Sequence, residues 1–393
     1  MQNIDVNNGA GWRPVLAEVR AALAETAIKR DRAGGTAKVE RDLFRRSGLL
    51  TLAVPAAFGG IGADWATVFE AVRLIAQVDS SLGHLFAFQH LQVASVLLYG
   101  SAEQQESLSR ATVEQGWFWG NALNPRDPRT RLVPNGSGYR LDGTKSFCSG
   151  ATDSDHLLVS ALDPTDTLRI VALPTDRSGI TVLDDWDNMG QRQTDSGTVS
   201  FEAVAVDGAE VLGPPGPGGS PRATLRACLA QAILGTLYLG IAEGALAAAV
   251  DFTREKSQPW PASGAATTVE DSYLQLRYGE LQVDLAGAQA LSTLAIAALQ
   301  KAWDRGEAVT PTERGEAALA IATFKVAAAR AGLDITSRLF EQTGARATAA
   351  RYGLDRFWRN LRTHTLHDPL DYKLKEIGSF VLTGAVPTPG LYS

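Results

Sequence analysis

Five histidines, His84, His90, His156, His364 and His367, are the side chains of this sequence best suited to moving protons near neutral pH. His364 and His367 stand three residues apart, so one helical turn places both imidazoles on the same face. Two imidazoles without a third ligand do not make a zinc site, and no histidine follows a Glu at the Glu-x-x-His spacing of a di-iron bundle. No bound metal is expected. Cys148 and Cys228 have no Cys or His at ligand spacing and are too few for a disulfide framework, so both are expected to be reduced. A dinucleotide fingerprint is missing, because Gly60-Ile61-Gly62 runs on to Trp65 where the third glycine belongs. The run from Gly213 to Pro221 lacks the Gly-Lys-Ser/Thr ending of a phosphate loop and reads as an exposed connector. His156, in a strand-like run, reads as a surface residue.

The elements that must position these imidazoles change texture along the chain. With 393 residues, 45% of them hydrophobic, there is material for a large core. The net charge of -6 gives no attraction for nucleic acid or anionic lipid. Met1 to Gly11 is polar, no segment reads as apolar for the length a bilayer requires, and a cytoplasmic protein is expected. Helical apolar spacing recurs in Val15-Leu16-Val19-Leu23, Leu43-Leu49-Leu50-Leu52 and Val68-Phe69-Val72-Leu74-Ile75. Strand-like runs follow at Tyr139-Arg140-Leu141, His156 to Val159, Arg169 to Leu173, Thr181-Val182-Leu183 and Thr198 to Phe201. Beyond Pro221 the chain is Ala- and Leu-rich with helical spacing through Ala249, from Glu270 to Trp303, from Thr312 to Gln342 and from Leu354 to Leu361. The expected domains are a helical one over 1–116, a β domain over 117–213 and a helical bundle over 222–393, an α+β class.

That order, the turn from Val54 to Gly62, and the run Gly190 to Gly197 followed by Phe201 to Val206 resemble the acyl-CoA dehydrogenase superfamily across nearly the whole chain. Longer strings, Ser81 to Phe86, Gly143 to Ala151, Asp184-Asp185-Trp186 and Arg351 to Pro369, are similar to the dibenzothiophene monooxygenase branch. The dehydrogenases' C-terminal glutamate base is replaced here by Leu366-His367-Asp368, and an imidazole suits proton management while reduced flavin reacts with O2. The resemblance implies a two-component monooxygenase that uses FMNH2 or FADH2 from a separate NAD(P)H–flavin reductase, takes O2 as co-substrate and oxygenates an apolar aromatic heterocycle at sulfur, carbon or nitrogen. An acyl-CoA dehydrogenase with a relocated base and a non-catalytic helical scaffold are the rival readings.

Carried over residue by residue, the resemblance implies catalytic roles for His84, Asn121, Ser149, His364 and His367. Flavin contacts fall on Asn121, Lys145, Phe147, Ser149, Trp186, Lys256, Ala345, Arg346 and His367, with Arg346 reaching a phosphate across a subunit boundary of a homotetramer. Phe88 and Trp186 line the substrate pocket. Two departures stand out: Phe88 replaces a tyrosine of the branch, and Gln258 replaces an arginine for the flavin phosphate, a role Lys256 takes only as a point charge.

Overall fold

The computed structural model describes residues 11–213 and 217–393. Met1 to Ala10 of the polar N-terminal segment and the middle of the expected connector lie outside the described residues. Helix α1 (Trp12–Ala33) buries Trp12, Val15, Leu16, Val19 and Leu23, the stripe that its spacing predicts. Helix α2 (Lys38–Ser47) ends at Gly48, whose φ of 73° suits glycine. Helices α3 (Trp65–Ala76) and α4 (Ser80–Tyr99) start on Asp64 and Asp79, which accept from the Thr67 and Leu82 amides. Helix α5 (Ala102–Glu114) begins in a capping box made by Ser101 and Gln104. Helix α4 is buried on nearly every side, so it has no polar face and no apolar stripe to betray it.

Seven strands follow among the described residues: β1 (Trp119–Ala122), β2 (Arg131–Asn135), β3 (Gly138–Lys145), β4 (His156–Leu162), β5 (Leu168–Pro174), β6 (Ile180–Val182) and β7 (Val199–Val206). They form one sheet in the order β1-β4-β2-β3-β7-β6, with β5 paired to β4. β1 runs parallel to β4 with Asn121 opposite Leu158, and β3 meets β7 antiparallel with a shift in register between Leu141 and Gly143. β1 and β2 carry no alternating pattern; β1 is buried throughout. At Gly120 a Cβ would stand 2.6 Å from the Leu157 side chain, so only glycine lets β1 lie against β4.

The C-terminal helices are α6 (Leu225–Lys256), α7 (Ser272–Asp304), α8 (Pro311–Thr343), α9 (Asp355–Thr365) and α10 (Leu370–Thr383). One apolar core joins α1–α4 to α6–α9, whereas the sheet has its own core around Leu141, Leu157, Val171 and Phe201. The helices before and after the sheet therefore share one interior.

Two expectations are corrected. Helices α6 and α7 do reach the length and hydropathy of a membrane span, against the reading that no segment does. The apolar window of α6 is 78% buried in the core, which accounts for its composition in water, but that of α7 is only 28% buried. His156 is no surface residue: its ring stacks on Trp117 at 3.6 Å, half-buried, and burial pushes its pKa down to about 4.

Candidate functional site

Helix α4 is the backbone of the site. His84, Phe88 and Gln92 recur every four residues and share one face over about 12 Å of helix. At the upper end His84 stacks on Phe88 with ring centroids 4.0 Å apart and meets His364 of α9 edge-on at 4.9 Å. Lower down, Gln92 Nε2 donates to Asn121 Oδ1 at 2.8 Å, and Gln89 Oε1 accepts the Trp119 amide at 2.8 Å. The same helix thus meets the histidines of the C-terminal bundle near one end and holds strand β1 farther along.

The β-domain wall is made by two loops locked together. Cys148 N donates to Gly197 O at 2.9 Å, and Gly150 N to Thr194 O at 2.9 Å. Ser149 Oγ pairs with Ser196 Oγ at 2.8 Å, Ser196 with Thr194 Oγ1 at 2.7 Å, and the Asn121 amide donates to Ser149 O at 3.0 Å. Phe147, Gln191 and Asp195 in these loops all have φ above +40°, a conformation that non-glycine residues hold only where surrounding contacts impose it. Phe147 is 60% exposed, a large ring offered to a neighbour, with Trp186 edge-on at 6.2 Å. Trp186 Nε1 donates to Gln191 O at 2.8 Å, and Gln191 N donates to Asn360 Oδ1 of α9 at 2.7 Å. Gly190 allows this docking, since a Cβ there would lie 2.1 Å from Arg359 O.

The helical wall is electrically different. Neither nitrogen of His84, and not Nδ1 of His364, has a hydrogen-bond partner among the described residues. Burial, then the neighbouring His364 and His367, pushes His84 well below the ordinary imidazole range. Burial also takes His364 down to about 3. Both rings are neutral at physiological pH. His367 is more exposed, and its Nδ1 lies 2.9 Å from Asp368 Oδ1. Asp368 is held below the usual carboxylate range: burial opposes ionisation, but the His367 hydrogen bond and the Lys325 ammonium outweigh it.

His84, Phe88, His364 and His367 therefore meet, as do Asn121, Ser149, Phe147 and Trp186, with α4 joining the two sets. Lys145 points elsewhere. It is 1% exposed and donates to the carbonyls of Asn124 and Asp127, so it braces the turn after β1. Burial takes its pKa down to about 8. Lys256, Ala345 and Arg346 line a separate cleft of about 640 Å³ between the ends of α6 and α8, together with Gln258 and Arg277. There Arg346 donates to Lys256 O at 3.0 Å. Gln92, Ser196, Gln191 and Asn360 belong to the site and escaped the residue-by-residue reading. Gln92 was detectable by its four-residue spacing from Phe88, and Ser196 and Gln191 sit inside the Gly190–Gly197 run.

The arrangement suits a flat, hydrogen-bonding heteroaromatic group. Asn121 is turned by Gln92 so that its Oδ1 is occupied, the exposed Phe147 ring has no apolar cover of its own, and the His84 nitrogens are buried without partners among the described residues. Asn121, Phe147, Ser149 and Trp186 would hold such a flavin, with the imidazoles beyond it.

Comparison with known proteins gives the family. Profiles for the acyl-CoA dehydrogenase N-terminal, middle and C-terminal domains match residues 14–114, 121–204 and 232–372. The chain is 49% identical over 387 residues to a probable FMNH2-dependent monooxygenase, SfnC, of Pseudomonas putida, covering 97% of this chain and 98% of that one. Methanesulfinate monooxygenase MsuC from Pseudomonas fluorescens superposes with a TM-score of 0.94 at 48% identity, covering 97% of this chain and 99% of that one. TdsC from Paenibacillus sp. A11-2, a dibenzothiophene monooxygenase solved with FMN and indole, does so at 0.93 and 42% identity over the same shares.

Proposed function

This chain belongs to the acyl-CoA dehydrogenase family, as one of its flavin-dependent monooxygenases, and from that premise we propose that it is the oxygenating half of a two-component system. It takes FMNH2 from a separate NAD(P)H–flavin reductase and passes one atom of O2 to the sulfur of an apolar aromatic heterocycle. The observation that supports this reading most directly is the α4 face, where His84, stacked on Phe88, meets His364 at one end while Gln92 holds Asn121 at the other. Bound reduced flavin supplies two electrons, so that one oxygen atom enters the substrate and the other leaves as water.

The chain's own residues do the rest. Asn121 and Ser149, fixed by Gln92 and Ser196, orient the ring system. Phe88, Phe147 and Trp186 supply apolar walls that exclude water. Because an ionised Asp368 only accepts, His367 keeps a proton on Nδ1 and presents Nε2 to the reacting oxygen as the group that gives and takes a proton. A second substrate reading, a small alkanesulfinate, has its support in the 48% identity to methanesulfinate monooxygenase, above the 42% to TdsC. Oxygen transfer to sulfur is common to both.

Assembly belongs to the same proposal. On α7, Val283, Gly287, Ala290, Leu294 and Ala297 are exposed at alternating spacings of four and three, with Val283 and Leu294 at 71% and 65%. Such an apolar stripe is covered by a second copy in a homotetramer, which brings a neighbour's flavin phosphate to Lys256, Ala345 and Arg346. The proposed division is 1–116, 117–213 and 222–393, and the protein works in the cytoplasm.

The test supplies the pure protein with FMN, NADH and O2, with and without a flavin reductase, and analyses dibenzothiophene, indole and methanesulfinate by mass spectrometry. Sulfoxide formed only with reductase present is the expected result. Steady NADH consumption without reductase would end the two-component reading.

A further inference from the structure

Behind His367 lies a buried charge that contacts neither the substrate walls nor the cleft between α6 and α8. Lys325 of α8 has no exposed surface, and its ammonium donates to Asp368 Oδ1 at 2.6 Å and to Gln231 Oε1 of α6 at 2.7 Å. The same carboxylate oxygen pairs with His367 Nδ1 at 2.9 Å and receives Gln231 Nε2 at 3.5 Å. Three segments that are distant in sequence thus converge on one oxygen atom. Desolvating two charges is expensive, and well-packed apolar residues of similar volume stabilise a core at least as well, so stability alone does not account for the pair.

The chemistry of His367 does. Burial takes Lys325 down to about 8, which leaves it charged at neutral pH, while Asp368 is held ionised. An ionised Asp368 pins the imidazole proton on Nδ1. Without a cation behind it, that carboxylate would draw a second proton onto the imidazole it touches. Around this centre stand Tyr238 on α6, Lys373 and Glu376 on α10, Tyr392 edge-on to His367 at 5.4 Å, and the neutral rings of His84 and His364. Lys373 and Glu376 pair with each other at 3.0 Å, leaving Lys325 as the cation that compensates Asp368.

We propose that Lys325 is a positioning residue for oxygenation: its ammonium neutralises Asp368, so that His367 keeps its proton on Nδ1 and leaves Nε2 free to accept and return another. This rests on the reading of His367 as the proton-handling group. No covalent step is added; the only change is where a proton resides.

The experiment measures the reaction of His367 with diethyl pyrocarbonate at pH 7 in flavin-free protein, by peptide mass spectrometry, because only an unprotonated imidazole nitrogen reacts. Lys325→Met should slow modification about threefold, the fall in unprotonated fraction at pH 7 when an imidazole of ordinary affinity, about 6.5, holds its proton tenfold more tightly. Asp368→Asn should speed it, and the double variant should fall between these two. Loosening of the site would speed all three alike, so an increase in Lys325→Met, or no change, overturns the proposal. Should Lys325→Met fail to fold, equal rates for Asp368→Asn and the double variant would overturn it too, since the ammonium would then be without influence on His367. In the loaded enzyme, Lys325→Met should divert reduced flavin to H2O2 at neutral pH and recover coupling at higher pH. A wild-type protein that oxygenates nothing would refute the proposed function while leaving the modification rates to decide on Lys325.

Discussion

On the β side of the site Asn121 is held by Gln92 of α4, Ser149 by Ser196, Ser196 by Thr194 and the 190–197 loop by Asn360 of α9, although Gln191 Oε1 and Asp195 Oδ2 lack hydrogen-bond partners among the described residues. On the helical side His84 and His364 are just as buried, yet three of their ring nitrogens lack partners among the described residues, and only His367 is tied to a carboxylate. A wall whose ligand-facing Asn121 and Ser149 are hydrogen-bonded within the protein keeps them in place whether or not a ligand is present. Buried polar atoms left without protein partners are costly in isolation and favour whatever brings them donors or acceptors. On the proposed function the β wall orients and the helical wall reacts.

Removing the reactive side breaks this comparison hardest. His367→Phe should lower product formation by about 10²–10⁴-fold, the range of a positioned acid or base, while flavin still binds and O2 is released as H2O2. Product and peroxide yields per NADH give the answer, and normal coupling would move the proton-handling role away from His367.

The orienting side should fail differently. Gly190→Ala drives a methyl group into Arg359 O and should destabilise the fold by about 1–3 kcal/mol, because loop 190–197 must part from α9. Urea unfolding measures this, and Trp186 fluorescence should report the parting; an unchanged midpoint would mean that the loop is not anchored there.

Acid sharpens the contrast further. His84, His90 and His364 are buried and neutral, with folded pKa values pushed down, to about 3 for His90 and His364. A group depressed in this way contributes stability that is full above its unfolded value and lost as pH falls towards the folded one. Each should therefore cost about 1.4 kcal/mol by pH 5.5, one unit below the ordinary imidazole value of about 6.5. Thermal melts from pH 7 to 5 on the wild type and on His90→Leu should show the variant to be less acid-sensitive. Parallel curves would deny that His90 stays neutral.

The smallest effect belongs to Ser149→Ala, which takes one hydrogen bond from a network that retains Ser196 and Thr194. Flavin affinity should weaken by about 0.5–1.5 kcal/mol with turnover chemistry otherwise intact. Titration of FMN fluorescence against both proteins measures it. A hundredfold loss would show that the β wall takes part in the reaction as well as in binding.

Sequence alone determined the class of fold, the helical–β–helical order and the family, because amphipathic spacing and turn residues are local signals and long matching strings preserve local chemistry. The proposed site residues His84, Ser149, His364 and His367 come from such strings. Helix α4 and strand β1 were not legible: both are buried on nearly all sides, and an element without a polar face has no periodicity to read. Lys145 shows the converse, a residue in a matching string whose ammonium the tertiary structure spends on two backbone carbonyls. Only the folded chain decides that Gln231, Lys325 and Asp368, up to 137 positions apart, share one oxygen atom. Charge compensation in a core depends on distance and desolvation, and neither is written in the spacing of residues along a chain.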